Sequence, residues 1–331
     1  MTEPVRWGIL GAAGIADWGL MPGMKLTNVA ALAAVASRTL TKAQAFAAKH
    51  GARKAYGSYE ELLADPEIEV VYVPVPNGLH AEWSIKAMRA GKHVLCEKPI
   101  AMDAAEARQI EAVRQETGRY CIEAFAYRFN PVVAKAIEIA RSGVLGELRF
   151  ITTSTSFHMV APDPANVRLR AEIGGGALYD VGCYAINAQR MLAGREPLTA
   201  WATMKWSERF DVDMSGTAML DFGEGLKGTF SWGFETGFAS PPSVSGTAGE
   251  LVAPFSWRSP QGRPQLILFK SNEVHEIAIT PANDYMGEVV DMSEAVRGLH
   301  APAYAWEPLE NNMRVIDACY RSYRSGQAEA V

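Results

Sequence analysis

Gly8-Ile9-Leu10-Gly11-Ala12-Ala13-Gly14-Ile15-Ala16 follows directly on a short apolar run that opens at Val5. A strand that ends in a tight turn of small residues and leads into a helix lets backbone approach a pyrophosphate closely. It also aims the helix-start amides at the phosphates. Gly11 supplies the first small residue of that pattern, while Ala13 stands at the second glycine position, Ala16 at the third, and Gly14 lies out of frame. Such a turn alone fits any strand–helix junction. The rhythm of the chain around it decides the reading.

Working outward, apolar strand patterns recur at 30–36, briefly at Tyr56, at 70–75, at 93–96 and at 119–124. Helix starts lie between them, where Thr41 with Gln44, Ser58 with Glu61 and Asp103 with Glu106 each place a capping oxygen three residues before a carboxyl or amide. Gly91 closes a helix over 79–90. Six strands alternating with helices predict a doubly wound parallel α/β sheet over residues 1–124.

Beyond that the pattern changes. Asn130-Pro131 opens a helix that ends near Gly143. The alternating segment 147–158 reads as an antiparallel strand, and further strands are expected near 198–207, 214–222 and 226–235, the last two joined at Gly223-Glu224-Gly225. Phe230, Trp232 and Phe234 share one face of the last of these. A hairpin joins 265–269 to 274–279, and helices are expected at 177–193, 285–298 and 309–325. Residues 125–331 therefore read as an α+β domain on a mostly antiparallel open sheet. Helices cover one of its faces, and the other face, with those aromatics as surface for one side or the other, suits a homodimer or higher homo-oligomer.

Composition excludes other classes. The 331 residues are 48% hydrophobic and 21% charged, as in folded globular chains, and 32 basic against 37 acidic side chains leave a net charge of −5 without a basic patch. Neither nucleic acid nor a membrane is an expected partner. The opening residues lack a basic flank, apolar core and cleavage site, and the four cysteines have no paired spacing, so a cytoplasmic protein with reduced thiols is expected. The six histidines show no metal-ligand spacing, and no metal is expected.

Four segments carry candidate chemistry. The second strand ends in Ala36-Ser37-Arg38, with no acid to bind a ribose 2′-hydroxyl; a small hydroxyl and an arginine suit the 2′-phosphate of NADP, with NAD the alternative. Pro74-Val75-Pro76-Asn77-Gly78-Leu79-His80 and Cys96-Glu97-Lys98-Pro99 follow the fourth and fifth strands, at the strand ends where open α/β sheets bind ligands. Gly174-Gly175-Gly176 leads into a helix on which Asp180 and Tyr184 lie one turn apart, with Asn187 a turn further.

Taken together, these segments, with Val5-Arg6-Trp7, Gly91 to Cys96 and Glu123-Ala124-Phe125-Ala126-Tyr127-Arg128-Phe129, resemble the glucose–fructose oxidoreductase/inositol dehydrogenase (Gfo/Idh/MocA) family over nearly the whole chain. The resemblance is closest to its subgroup of NADP-dependent D-xylose dehydrogenases, dimeric dihydrodiol dehydrogenases and anhydrofructose reductases. It implies an N-terminal Rossmann domain and an enzyme that moves a hydride between nicotinamide and a secondary alcohol, hemiacetal or ketone of a sugar or polyol-like substrate.

It also implies residue roles. Lys98 matches the active-site lysine, Tyr184 the proton-exchanging position, and Asp180 the aspartate that holds a substrate hydroxyl or orients its neighbours. Gly11, Ala12, Ala13, Gly14 and Ile15 match the pyrophosphate turn; Ser37, Arg38 and Lys42 the 2′-phosphate site; Val75, Pro76, Asn77 and His80 the loop over the cofactor. Glu97 joins Lys98 in the cofactor set, and Arg168 and Tyr285 match contacts of the nicotinamide half. A nearby ammonium favours a phenolate, so Lys98 suits Tyr184 as a partner, and which of the two takes the proton stays open. The alternative is a non-catalytic NAD(P)-binding sugar sensor on the same fold, which has no need of both Lys98 and Tyr184. A glycosidase using tightly held NAD is disfavoured by Ser37-Arg38.

Overall fold

The structure is a computed structural model that describes residues 3–237, 240–254 and 265–331. The chain divides into two compact units, Met1–Phe129 with Asn283–Glu310, and Asn130–Ala282 with Asn311–Val331.

In the first unit six parallel strands lie in the order β3-β2-β1-β4-β5-β6: β1 (Val5–Leu10), β2 (Ala30–Ala36), β3 (Lys54–Tyr56), β4 (Val70–Val73), β5 (His93–Glu97) and β6 (Cys121–Ala124). β4 reads Val70-Val71-Tyr72-Val73, all buried, as strands covered on both faces do. The strand order runs outward in opposite directions from β1 and β4, which opens a crevice at their carboxyl ends. Ser58 forms the expected capping box with Glu61 at the start of α3 (Tyr59–Leu63). Asp103 accepts the Glu106 N–H at 2.8 Å at the start of α5 (Ala104–Thr117), although the Glu106 carboxylate returns to Met102 N–H. The cap expected at Thr41 does not form: α2 (Leu40–His50) starts earlier, with Thr39 at its N-cap and no side-chain cap bond.

A late helix returns to this unit. Reading residues 125–331 as one domain assigned helix 285–298 to the second half, whereas α8 (Asp284–Val296) packs on β1. The Trp7 indole donates to Ser293 Oγ at 3.1 Å, and Val289 and Met292 join the core around β1. Gly23, in α1 (Met21–Met24), lies so close that a Cβ there would sit 2.6 Å from Met286 N. The partners in the Trp7–Ser293 bond are 286 residues apart, and local pattern carries no trace of that pairing.

The second unit is built on a nine-stranded sheet: β7 (Leu148–Ser156), β8 (Thr199–Ser207), β9 (Val212–Asp221), β10 (Lys227–Gly233), β11 (Ser243–Gly246), β12 (Gly249–Val252), β13 (Leu266–Lys270), β14 (Glu273–Ile277) and β15 (Glu329–Ala330), in the order β14-β13-β12-β11-β7-β10-β9-β8-β15. β7 is antiparallel to β11 but parallel to β10, so the strand expected to be antiparallel pairs both ways. α6 (Pro131–Arg141) opens at Pro131 with the Asn130 side chain accepting from Val132 N–H. α7 (Cys183–Ala193) lies on the inner face, where Thr153 Oγ1 donates to Ala185 O at 3.0 Å and Gln189 Nε2 donates to Thr229 O at 2.6 Å.

Phe230, Trp232 and Phe234 are fully buried on that inner face, with Phe234 against Phe157. They are core, not a surface for a second copy. The opposite face carries Phe150, Trp201, Met219 and Phe269, each 40–60% exposed. Among the described residues no helix is long and apolar enough to cross a membrane, and no three metal-ligating side chains gather. Cys96, Cys121, Cys183 and Cys319 are free and buried.

Candidate functional site

At the end of β1, Gly11 turns the chain at φ +111°, a conformation that strains any side chain, and donates its N–H to Ala36 O at 2.8 Å. The helical run begins at Gly14, and Asp17 N–H returns to Ala13 O at 3.2 Å. The amides ahead of Asp17 therefore have no partner inside the helix, which makes this end a seat for an anion. Ala12 and Gly14 are exposed, and Ala13 and Ile15 half-buried. Ala16, at the third glycine position, is fully buried in the core, so its methyl fills space that a glycine would leave empty.

Ser37 is buried at the end of β2 and donates its N–H to Tyr56 O. Arg38 and Lys42 beyond it are exposed, and among the described residues neither side chain has a hydrogen-bond or ion-pair partner. Tyr59 ties this end to the glycine turn. Its hydroxyl lies 3.4 Å from where a Gly11 Cβ would be, and the Arg38 charge acts on its phenol, which burial pushes up. The turn and the two cations fit the pyrophosphate and 2′-phosphate of a dinucleotide.

The segments after β4 and β5 are tied together by His80. The imidazole is buried, with Nδ1 2.7 Å from Pro99 O and Nε2 2.8 Å from Val75 O, so the ring is spent on the backbone of both segments. A neutral ring donates to one of these carbonyls at a time. Burial lowers its pKa to about 4, opposed by the two carbonyls and reinforced by the Lys98 ammonium. The folded state therefore keeps His80 neutral where the unfolded chain binds a proton, and stability falls as pH drops from about 6.5 to about 4. We expect His80→Gln to flatten that limb of the urea midpoint against pH; an unchanged slope would show that His80 does not titrate there.

Lys98 is half-buried just past β5, after buried Glu97, whose carboxylate accepts the Tyr72 hydroxyl. Glu123 on β6 accepts Ile100 N–H at 3.0 Å. Close by, Glu288 of α8 is buried with Oε1 lacking a hydrogen-bond partner among the described residues. Burial first, then the Glu97 charge, holds its carboxyl well above the usual range, against the pull of Arg128; Asp284 and Asp291 push the same way as Glu97. A folded state that retains this proton loses stability as pH rises above about 4.3, the value of a free glutamate. Glu288→Gln, isosteric and permanently neutral, should therefore gain thermal stability over the parent more at pH 8 than at pH 4. Equal differences at both would mean that Glu288 folds ionised.

In the second unit, two 3-10 turns, Val167–Leu169 and Ala171–Ile173, fold residues 166–176 back on themselves. Gly175 and Gly176 donate their N–H groups to Arg170 O and Arg168 O, each at 2.9 Å. Asp180 and Tyr184 are not on one uniform helix: a π-turn, Leu178–Gly182, precedes α7 and changes their angular offset. Asp180 is mostly buried and accepts Arg168 Nε at 2.6 Å, while Tyr184 is half-buried. Arg168, expected at the nicotinamide half, here has its guanidinium on Asp180. In the first unit Tyr285 is half-buried at the start of α8, edge-on to exposed Trp18 at 6.0 Å.

Sequence reasoning missed Tyr72, Glu288 and Asp213. Asp213 is fully buried on β9 and accepts from Leu178 N–H (2.7 Å), Trp232 Nε1 (2.8 Å) and the Tyr320 hydroxyl (2.8 Å). The available signal was a carboxylate in an otherwise apolar strand start, Val212-Asp213-Met214.

Two family profiles match the chain: an oxidoreductase family with an NAD-binding Rossmann fold over residues 5–125, and the Gfo/Idh/MocA C-terminal domain over residues 133–252. D-xylose 1-dehydrogenase (NADP(+)) 2 of Haloferax volcanii is 35% identical over 98% of this chain and 99% of its own. Among solved structures, an aldose–aldose oxidoreductase from Caulobacter crescentus with glycerol bound is similar, with a TM-score of 0.89 and 26% identity over 99% of this chain and 100% of that one. A 3-ketoreductase from Actinomadura kijaniata in complex with TDP-benzene and NADP has a TM-score of 0.85 and 27% identity over 96% and 98%. With its six-stranded parallel sheet, its nine-stranded second sheet and these matches over both units, the chain belongs to the Gfo/Idh/MocA family of NAD(P)-dependent oxidoreductases.

Proposed function

We propose that this protein is an NADP-dependent oxidoreductase acting on a CH–OH group, or the corresponding carbonyl, of a sugar or polyol-like substrate. The observation that carries this reading is the exposed Arg38 beside buried Ser37 at the end of β2, in the same sheet as the glycine turn and Lys98. The relatives support it, one named as an NADP-dependent xylose dehydrogenase and another solved with NADP.

Bound, the dinucleotide supplies the two-electron acceptor or donor. The amides of Ala12, Ala13, Gly14 and Ile15 hold its pyrophosphate, and Ser37, Arg38 and Lys42 its 2′-phosphate. Val75, Pro76 and Asn77 line the cofactor, with His80 holding that segment from behind, and Glu97 and Tyr285 complete the set. In oxidation Tyr184 takes the substrate hydroxyl proton. In reduction Tyr184 returns the proton while Lys98 polarises the carbonyl oxygen. Asp180, ion-paired to Arg168, holds a neighbouring hydroxyl.

A panel of aldoses, ketoses and polyols with NADP+ and with NAD+, followed at the absorbance of reduced nicotinamide, tests the reading. Turnover with at least one sugar, faster with NADP+, is expected. Tight NADP binding without turnover of any substrate would replace the enzyme with a sensor.

The same proposal includes a homodimer through the outer face of the nine-stranded sheet, where Phe150, Trp201, Met219 and Phe269 are exposed. Light scattering at micromolar concentration should give twice the 36.0 kDa chain mass. Phe150→Lys with Trp201→Lys should return the chain to a monomer. A monomeric parent would remove the proposal.

A further inference from the structure

We propose that Asp213 is a positioning residue that sets the pitch of the turn that bears Asp180 and leads directly into Tyr184 on α7. The π-turn Leu178–Gly182 winds wider than an α-helix, a rare geometry that occurs as single turns, and side chains from outside the turn brace it. Asp213 grips its first residue through Leu178 N–H at 2.7 Å. The two other donors to Asp213 press on the rest of the turn. Tyr320, bound to Oδ1, packs its ring 5.3 Å from that of Tyr179. Trp232, bound to Oδ2, lies where a Cβ on Gly182 would be 3.2 Å from its Cγ.

Both ends of the turn are therefore referred to one buried carboxylate. Gly176 lets the chain pass it, since a Cβ there would lie 2.5 Å from Asp213 Oδ1. A β-bulge aims the carboxylate: β8 and β9 pair Lys205 with Ser215 but Trp206 with Asp213, so the strand shifts by one residue and Asp213 faces the turn. The inference rests on the proposed roles of Asp180 and Tyr184, and its test separates the two.

Asp213→Ala removes the anchor. Asp213→Asn keeps it, because the amide oxygen still accepts from Leu178 and Trp232 while its NH2 donates to the Tyr320 oxygen. Trp232→Phe and Tyr320→Phe each delete one donor and retain a ring, and they carry the test if the alanine variant does not fold. The readouts are hydrogen exchange of amides 178–184, NADP affinity, and kcat and KM at a temperature where thermal melts show each variant folded. For Asp213→Ala we expect faster exchange in 178–184, kcat lowered about 10- to 100-fold and NADP affinity unchanged, since small misplacements of a reacting group cost that much. The Phe variants should fall between it and the parent, and Asp213→Asn should stay near the parent.

Lower melting temperatures with exchange in 178–184 and kcat unchanged would reduce Asp213 to a core residue and overturn the proposal. An asparagine variant as impaired as the alanine one would also overturn it, in favour of the charge. If Tyr184→Phe keeps full turnover, the catalytic assignment fails on its own, and the exchange data still decide whether Asp213 holds the turn.

Discussion

Tyr184→Phe is expected to lower turnover by about 10²- to 10⁴-fold, the usual contribution of a positioned proton donor or acceptor. Phenylalanine keeps the ring, half-buried on the first turn of α7, and removes the hydroxyl with its transferable proton. NADP affinity should change little, because the proposed cofactor contacts lie on other elements. Lys98→Met keeps the reach of the side chain and removes its charge, so turnover should fall by a similar factor. On the proposed roles both residues serve the same transfer, so the double variant should lose far less than the product of the single losses. Stopped-flow hydride transfer, with cofactor binding measured separately on the same proteins, gives these numbers. Near-parental turnover in Tyr184→Phe would assign the proton to Lys98 or water.

Arg38→Ala should weaken NADP binding by about 10- to 150-fold and leave NAD binding nearly unchanged. A charge-assisted bond between a guanidinium and a 2′-phosphate is worth about 1.5–3 kcal/mol. NAD carries no phosphate at that position and so has nothing to lose. Arg38 is exposed and has no hydrogen-bond or ion-pair partner among the described residues, so its removal should not disturb the fold and the comparison stays clean. Calorimetric titration of both cofactors into both proteins measures it. Equal losses for the two would mean that Arg38 acts on a feature they share, and the assignment of Ser37-Arg38 to the 2′-phosphate would be wrong.

Much of the architecture was legible because local chemistry and tertiary outcome agree. Apolar runs such as Val70-Val71-Tyr72-Val73 have one sensible place, a sheet covered on both faces, and the Ser58 and Asp103 caps satisfy amides within their own turn. The glycine turn and Ser37-Arg38 were readable for the same reason: a left-handed backbone position and a strand end are local features.

Interactions between distant segments were not readable. Period-two alternation reports which face of a strand is buried but not the direction of its neighbour, so the parallel pairing of β7 with β10 left no mark in the sequence. The side chains of Phe230, Trp232 and Phe234 alternate identically whether α7 or a second copy covers them, and only packing assigned them to the core. The return of α8 to β1, the buried acid pair of Glu97 and Glu288, and the bulge that turns Asp213 inward each join residues with no periodic relation along the chain. Backbone preference and solvent exclusion act residue by residue and are written into composition and spacing, whereas these arrangements exist only once the chain has closed on itself.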